Sequence, residues 1–131
     1  MLAVQLAGCS SKDMVLKKLN EYLDANPHIT PDSGLWLTGM GWDQNIWTPA
    51  VFPTAADLDT DPRLSKIPTI LTRIDAHAVW VNGRALELAK KYIPNEDSPG
   101  GKIVRDAQQN PTGVFIDDAI KYMGNNTAFI L

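Results

Sequence analysis

Helix-like and strand-like segments alternate along this sequence, and this alternation limits the possible folds more than any other feature. The predicted helices cover residues 11–25, a short stretch after residue 54, residues 83–92 and residues 118–123. The predicted strands cover residues 35–38, 69–80, 102–106 and 112–117, with one more short strand before residue 10. The pattern favours an α/β fold with a partly parallel sheet, built from strand–helix units and a β-hairpin at about 102–117.

Capping residues mark where the predicted helices begin. Ser10 with Asp13, and Thr54 with Asp57, have the spacing of a capping box, in which each residue satisfies a free backbone N–H at the helix start. Asn82 is suited to cap the third helix. The last helix is predicted to stop at glycine 124.

Length and charge restrict the class of protein. The 131 residues carry 12 Lys+Arg against 15 Asp+Glu, a net charge of −3, and they support a single segment over residues 1–131. Mild acidity argues against a nucleic-acid partner, and the lack of a long apolar run argues against a membrane partner. The single cysteine, Cys9, fits a reducing compartment and predicts a cytoplasmic location.

Metal and nucleotide signals are weak in this sequence. It has two histidines, His28 and His77, and no His-x-His pair, so we expect no complete metal site and no cofactor in this chain. Glycine-rich phosphate loops and nucleophile elbows do not occur.

The most informative polar cluster is Arg73, Asp75 and His77. On one continuous strand, a spacing of two places all three side chains on the same face. They could form a pocket that orients the histidine, or a polar ladder facing solvent, and spacing alone favours the ladder. Trp80 and Asn82, at the end of the predicted strand, add residues of the kind that line pockets.

A second cluster follows two glycines, which predict a sharp turn. Trp42, Asp43 and Trp47 lie in the loop after Gly39 and Gly41. The indoles could line an apolar substrate pocket, or they could fix the loop onto the core.

Several motifs in this order resemble a known family. They occupy residues 39–44 with Trp47, 52–54, 73–77 with 80–82, 100–106 and 111–115. Together they are similar to the amidohydrolase family 3 branch of the amidohydrolase superfamily, which includes N-substituted formamide deformylase-like enzymes. The resemblance runs from about Gly8 to Met123, and Ala76 stands where the family motif Arg-x-Asp-Gly-His has glycine.

The resemblance implies a (β/α)8-barrel hydrolase that uses zinc or another divalent metal to cleave amide-like C–N bonds of small molecules. The family's His-x-His would lie before Met1 and its later metal ligands after Leu131, so the sequence resembles an internal segment. The candidate substrate-pocket residues are Arg73, Asp75, His77, Trp42, Asp43, Trp80 and Asn82.

Three hypotheses remain open at this point. The chain is a fragment or truncated form of such a hydrolase, inactive alone because the metal ligands are missing. Alternatively, it is a stand-alone binding or oligomerisation module that self-associates through exposed apolar surface. A third hypothesis is a small enzyme in which Asp75 and His77 act as a metal-free acid–base pair.

Overall fold

A computed structural model describes residues 3–127, which form one six-stranded mixed sheet and four α-helices. The strands are β1 (Val4–Gln5), β2 (Leu37–Trp42), β3 (Thr69–Arg73), β4 (Ala78–Val81), β5 (Gly101–Arg105) and β6 (Pro111–Asp117). The helices are α1 (Lys12–Ala25), α2 (Ala55–Asp59), α3 (Gly83–Ala89) and α4 (Lys121–Thr127). The predicted α/β class and the hairpin, formed by β5 and β6, are confirmed.

The sheet has the strand order β1-β2-β3-β4-β6-β5. β1, β2 and β3 run parallel, and all other neighbours are antiparallel. Because parallel strands end at the same side of a sheet, the segments that follow Gln5, Trp42 and Arg73 lie along one edge, which we call the carboxyl edge. The partly parallel sheet is as predicted.

Both faces of the sheet are covered. Ala78 and Trp80 of β4 point into one hydrophobic cluster, whereas Val79 and Val81 point into the other. This alternation is the period of a strand that is buried on both sides. Within the described residues, no helix is long and apolar enough to cross a membrane.

Helix starts follow the capping pattern with one correction. The cap of α1 is Ser11, whose Oγ accepts from the N–H of Met14 at 3.2 Å, so the prediction of Ser10 is wrong by one residue. The capping box of α2 forms as predicted, and so does the Asn82 cap of α3. α4 continues through Gly124, so the predicted stop there is wrong.

The predicted strand 69–80 is wrong, because the chain reverses within it. β3 and β4 are antiparallel neighbours joined by a turn at residues 74–77. The Ala76 N–H donates to the Arg73 carbonyl at 2.8 Å, and Ala76 has a positive φ of 64°. The spacing argument that placed Arg73, Asp75 and His77 on one strand face therefore fails.

The predicted strand 35–38 exists with shifted bounds, and the prediction of a sharp turn after it is wrong. β2 starts two residues later and runs through both glycines. Gly41, with φ of 113°, sits in a β-bulge, and a Cβ built there would lie 2.6 Å from the backbone N of Ala7. Glycine therefore serves a close backbone approach inside the strand.

A further difference is the end of the predicted helix 83–92. α3 stops at Ala89 and continues as a 3₁₀ turn, Lys90–Tyr92. Leu88 is exposed on this helix, and Glu87 pairs with Arg84 at 2.6 Å.

The turn at Ala76 generates a stability prediction. A non-glycine residue at φ of 64° is strained by its Cβ, so Ala76→Gly should raise the free energy of unfolding by up to about 1 kcal/mol. Urea unfolding monitored by tryptophan fluorescence measures the change. Ala107→Gly, at an exposed turn position without a positive φ, is the matched control and should give no gain. A loss of stability in Ala76→Gly would contradict the assigned turn.

Candidate functional site

Three buried tryptophan side chains pack together next to the candidate site residues. The ring centroids of Trp42, Trp47 and Trp80 lie 5.8–6.2 Å apart, in one stacked and two edge-on contacts. All three side chains are buried. We call these three residues the tryptophan cluster, and their burial shows that the loop after β2 is fixed onto the core.

Each indole of the tryptophan cluster donates its N–H to a distant backbone carbonyl. Trp42 donates to Leu71 at 2.7 Å, and Trp47 donates to Cys9 at 3.0 Å. Trp80 donates to the carbonyl of residue 54 at 2.8 Å. The cluster thus joins β2 and β4 to β3, to the segment after β1 and to the start of α2.

The bulge at Gly41 places Trp42 beside Arg73. Because a strand alternates its side chains, Trp42 would share the face of Met40 without the extra residue. With it, Trp42 lies in the core and is the register partner of Arg73. The Arg73 guanidinium accordingly lies over the Trp42 ring, 5.9 Å from its centroid.

Asp75 organises the turn between β3 and β4. Its Oδ1 accepts from Arg73 Nε at 2.9 Å and from the His77 backbone N–H at 3.0 Å. These hydrogen bonds, chiefly the one from Arg73, lower the pKa of Asp75 and favour its ionised form. The sequence cluster is therefore brought together by a turn instead of a strand face.

The His77 ring has a partner that the sequence did not reveal. Its Nδ1 lies 2.9 Å from Oδ1 of Asp117, and the Asp117 backbone N–H donates to the His77 carbonyl at 2.9 Å. The residues are 40 positions apart, and the pairing of β4 with β6 makes them neighbours. A neutral ring that donates from Nδ1 has its acceptor at Nε2, and the His77 side chain is 68% exposed.

Asp43 also lies at the carboxyl edge, directly after β2. Its carboxylate accepts from the Asn45 N–H at 2.9 Å and caps the 3₁₀ turn Gln44–Ile46. In that turn, Oε1 of Gln44 is buried and has no hydrogen-bond partner among the described residues.

Asn82 lies away from this group, at the opposite end of β4. Its Oδ1 accepts from the N–H groups of Thr69 and Ala85, and its Nδ2 donates to the carbonyls of Leu64 and Ile67. The buried amide thereby uses both donors and both acceptor positions. The structure thus links Trp42, Arg73, Asp75 and His77, with Trp80 behind Trp42 and Asn82 apart.

The described residues do not form a metal site, and two residues that lie away from this group have shifted pKa values. Within residues 3–127, no group of three His, Cys, Asp or Glu side chains could hold a metal ion. Burial raises the pKa of the Cys9 thiol, and Lys18 opposes that shift. Burial also raises the pKa of Asp59, opposed by a hydrogen bond from the Gly83 N–H.

Comparison with known proteins gives a consistent result. The profile of the amidohydrolase family matches residues 1–127. Putative amidohydrolase YtcJ of Bacillus subtilis (strain 168) is 35% identical over 118 residues, 90% of this chain and 21% of the relative. Protein LONG AFTER FAR-RED 3 of Arabidopsis thaliana is 33% identical over 122 residues, 92% of this chain and 19% of the relative.

Two solved structures share the fold. Uncharacterized metal-dependent hydrolases from Pyrococcus horikoshii OT3 and Pyrococcus furiosus superpose with TM-scores of 0.63 and 0.62, both at 20% identity. The match covers 96% of this chain and 20% and 21% of those chains. This chain therefore spans about one-fifth of the length of the relatives it matches.

The satisfied amide of Asn82 generates a second prediction. Asn82→Ala removes the cap of α3 and leaves the buried N–H groups of Thr69 and Ala85 without their acceptor, so it should cost at least about 2 kcal/mol of unfolding free energy. Urea unfolding measures the loss, and exposed Asn95→Ala is the control, expected within about 0.5 kcal/mol of the parent. Equal effects of the two variants would contradict the structural role.

The lowered pKa of Asp75 generates a pH prediction. A carboxylate whose folded pKa is depressed adds stability above its unfolded pKa of about 4, and that stability is lost as pH falls through the folded pKa. Asp75→Asn should therefore destabilise the protein more at neutral pH than in acid, as measured by urea unfolding across pH. Because Asp75 is about half exposed, the difference should shrink in high salt. A penalty independent of pH would contradict this account.

Proposed function

Because the chain belongs to the amidohydrolase family, we propose that it forms one segment of a metal-dependent hydrolase that cleaves amide-like C–N bonds of small molecules. The observation that carries the proposal is the placement of Arg73, Asp75 and His77. They lie at the carboxyl edge of three parallel strands, the side on which (β/α)8-barrel enzymes place their catalytic residues. Within the family, our proposal is the branch of N-substituted formamide deformylase-like enzymes.

The length of the match supports our proposal that this chain is one segment of a larger barrel. A (β/α)8 barrel takes about 250 residues and eight parallel strands. The described residues supply three parallel strands, and the match covers about one-fifth of the relatives. Hydrolysis by the complete site therefore depends on residues that this chain does not contribute.

The metal expected in the complete enzyme does not fit this chain's own donors. A divalent ion would supply a bound water that is nucleophilic near neutral pH. Among residues 3–127 no three donors converge, and His77, whose Nδ1 is engaged with Asp117, offers only Nε2 as a donor atom. We therefore assign the residues of this chain to binding and orientation, and no step through a metal to them.

The candidate residues divide by position. Arg73, Asp75 and His77 form the substrate side in our proposal, where N–H donors and the exposed His77 ring can contact a polar substrate group. Trp42 packs against the Arg73 guanidinium, and Asp43 caps the turn in the neighbouring loop.

Trp80 and Asn82 act from within the fold, Trp80 beside the candidate group and Asn82 at the opposite end of β4. Trp80 packs against Trp42, whereas Asn82 fixes the start of β3 and the start of α3.

A second candidate function is a non-catalytic module that self-associates. The observation in its favour is a set of apolar side chains about half exposed: Ile46, Val51 and Ile74. Ile46 and Ile74 lie in the loops after β2 and β3, beside the carboxyl edge. In our first proposal, the same residues contact the remainder of the enzyme.

An activity assay separates these functions. The purified chain, supplied with zinc and simple N-formyl amides, should show no turnover above the metal alone, because three ligands do not converge among its described residues. Formate release measured by a coupled assay gives the rate. Metal-dependent turnover by this chain alone would contradict the proposal, provided that His77→Ala abolishes it and so excludes a contaminating enzyme.

Light scattering at high concentration tests the alternative. A module that self-associates should form a dimer of defined mass, which Ile74→Ser should dissociate without unfolding, because Ile74 is half exposed. A monomer at all concentrations would contradict the module and leave the hydrolase segment in place.

A further inference from the structure

The guanidinium of Arg73 contacts Asp75 and Trp42 on one side, and its other side is free to bind a ligand. Its Nε donates to Asp75 at 2.9 Å, and its Cζ lies over the Trp42 ring, 5.9 Å from the centroid. The side chain is only 15% exposed. Neither Nη1 nor Nη2 has a hydrogen-bond partner among residues 3–127, so four N–H donors remain free there.

The groups that hold Arg73 are themselves fixed. Trp42 is fully buried, donates to the Leu71 carbonyl and packs against the two other indoles. Asp75 is held by the backbone N–H of His77 as well as by Arg73. The arginine is therefore oriented before any ligand arrives, which lowers the entropy lost on binding.

The open side of the guanidinium has a defined chemistry. With Nε occupied, the remaining pair of parallel N–H bonds points away from Asp75, one from each Nη. Such a planar pair matches the two oxygens of a carboxylate in a bidentate contact, which a lysine ammonium cannot reproduce. Arg73 ends β3, so this pair is presented at the carboxyl edge.

We propose that Arg73 is a specificity-determining residue that binds the carboxylate of an amide-like substrate through Nη1 and Nη2. The ligand class is a small N-acyl compound that carries a free carboxylate, such as an N-formyl amino acid. This inference rests on the proposed function, because that function makes the ligand a substrate. The contact itself requires no turnover.

Binding by the isolated chain tests the proposal. The probes are N-formylglycine and its neutral primary amide, titrated into nitrogen-15-labelled protein and followed by the Arg73 Nε–H and Trp42 indole N–H signals. The acid should shift both signals in a saturable way with a dissociation constant in the millimolar range, and the neutral amide should not. Absence of a saturable shift, or equal binding of acid and amide, would overturn the proposal.

A matched pair of variants assigns the contact. Arg73→Lys keeps the charge but loses the planar pair, so binding of N-formylglycine should weaken at least about tenfold. Arg84→Lys, at an arginine paired with Glu87 on the surface of α3, should leave it unchanged. Unaltered binding in folded Arg73→Lys would overturn the proposal. Should this variant not fold, the comparison of acid with amide in the parent protein decides.

The outcomes of the two proposals are distinguishable. Loss of carboxylate binding would leave the assignment to a hydrolase segment in place, since that rests on family and strand topology. Turnover by the chain alone would contradict its proposed inactivity, yet the preference for acid over amide would still test Arg73.

Discussion

The tryptophan cluster is the interaction on which the rest of the structure depends. Each indole N–H would be an unsatisfied donor in the core unless a backbone carbonyl faced it, and burying such a donor without a partner costs about 1–3 kcal/mol. The three carbonyls come from three separate segments, so satisfying the indoles fixes where those segments lie. Apolar packing and polar satisfaction thus select the same arrangement, with β2 and β4 at its centre.

Local signals predicted most of the helices and the last hairpin, because capping and turn preferences act within a few residues. The capping box at Thr54 and the cap at Asn82 depend only on neighbours in sequence. The prediction of one continuous strand over residues 69–80 failed because it, too, used only local signals. The reversal occurs at Ala76, a residue without the turn preference of glycine or asparagine, and only the glycine of the family motif at this position indicated a positive φ.

The candidate site was predicted in composition but not in geometry. Arg73, Asp75 and His77 do come together, yet they do so because Asp75 accepts from both neighbours in a turn. Asp117 could not be found, since its contact with His77 depends on the register of β4 against β6. Trp42 was assigned to a loop, because the bulge that returns it to the core depends on the approach of Ala7 to Gly41.

The degree of burial separates two kinds of group at the carboxyl edge. Arg73 is mostly buried and gains its orientation from Trp42 and Asp75, so its geometry belongs to this segment alone. His77 and Asp117 are 68% and 50% exposed, and water weakens a hydrogen bond between a ring and a carboxylate in such a position. Covering that pair with further protein would remove the water and strengthen the contact from Asp117 to the ring. The segment therefore holds a guanidinium whose orientation is set by its own residues, and an imidazole whose contact with Asp117 depends on what packs over it.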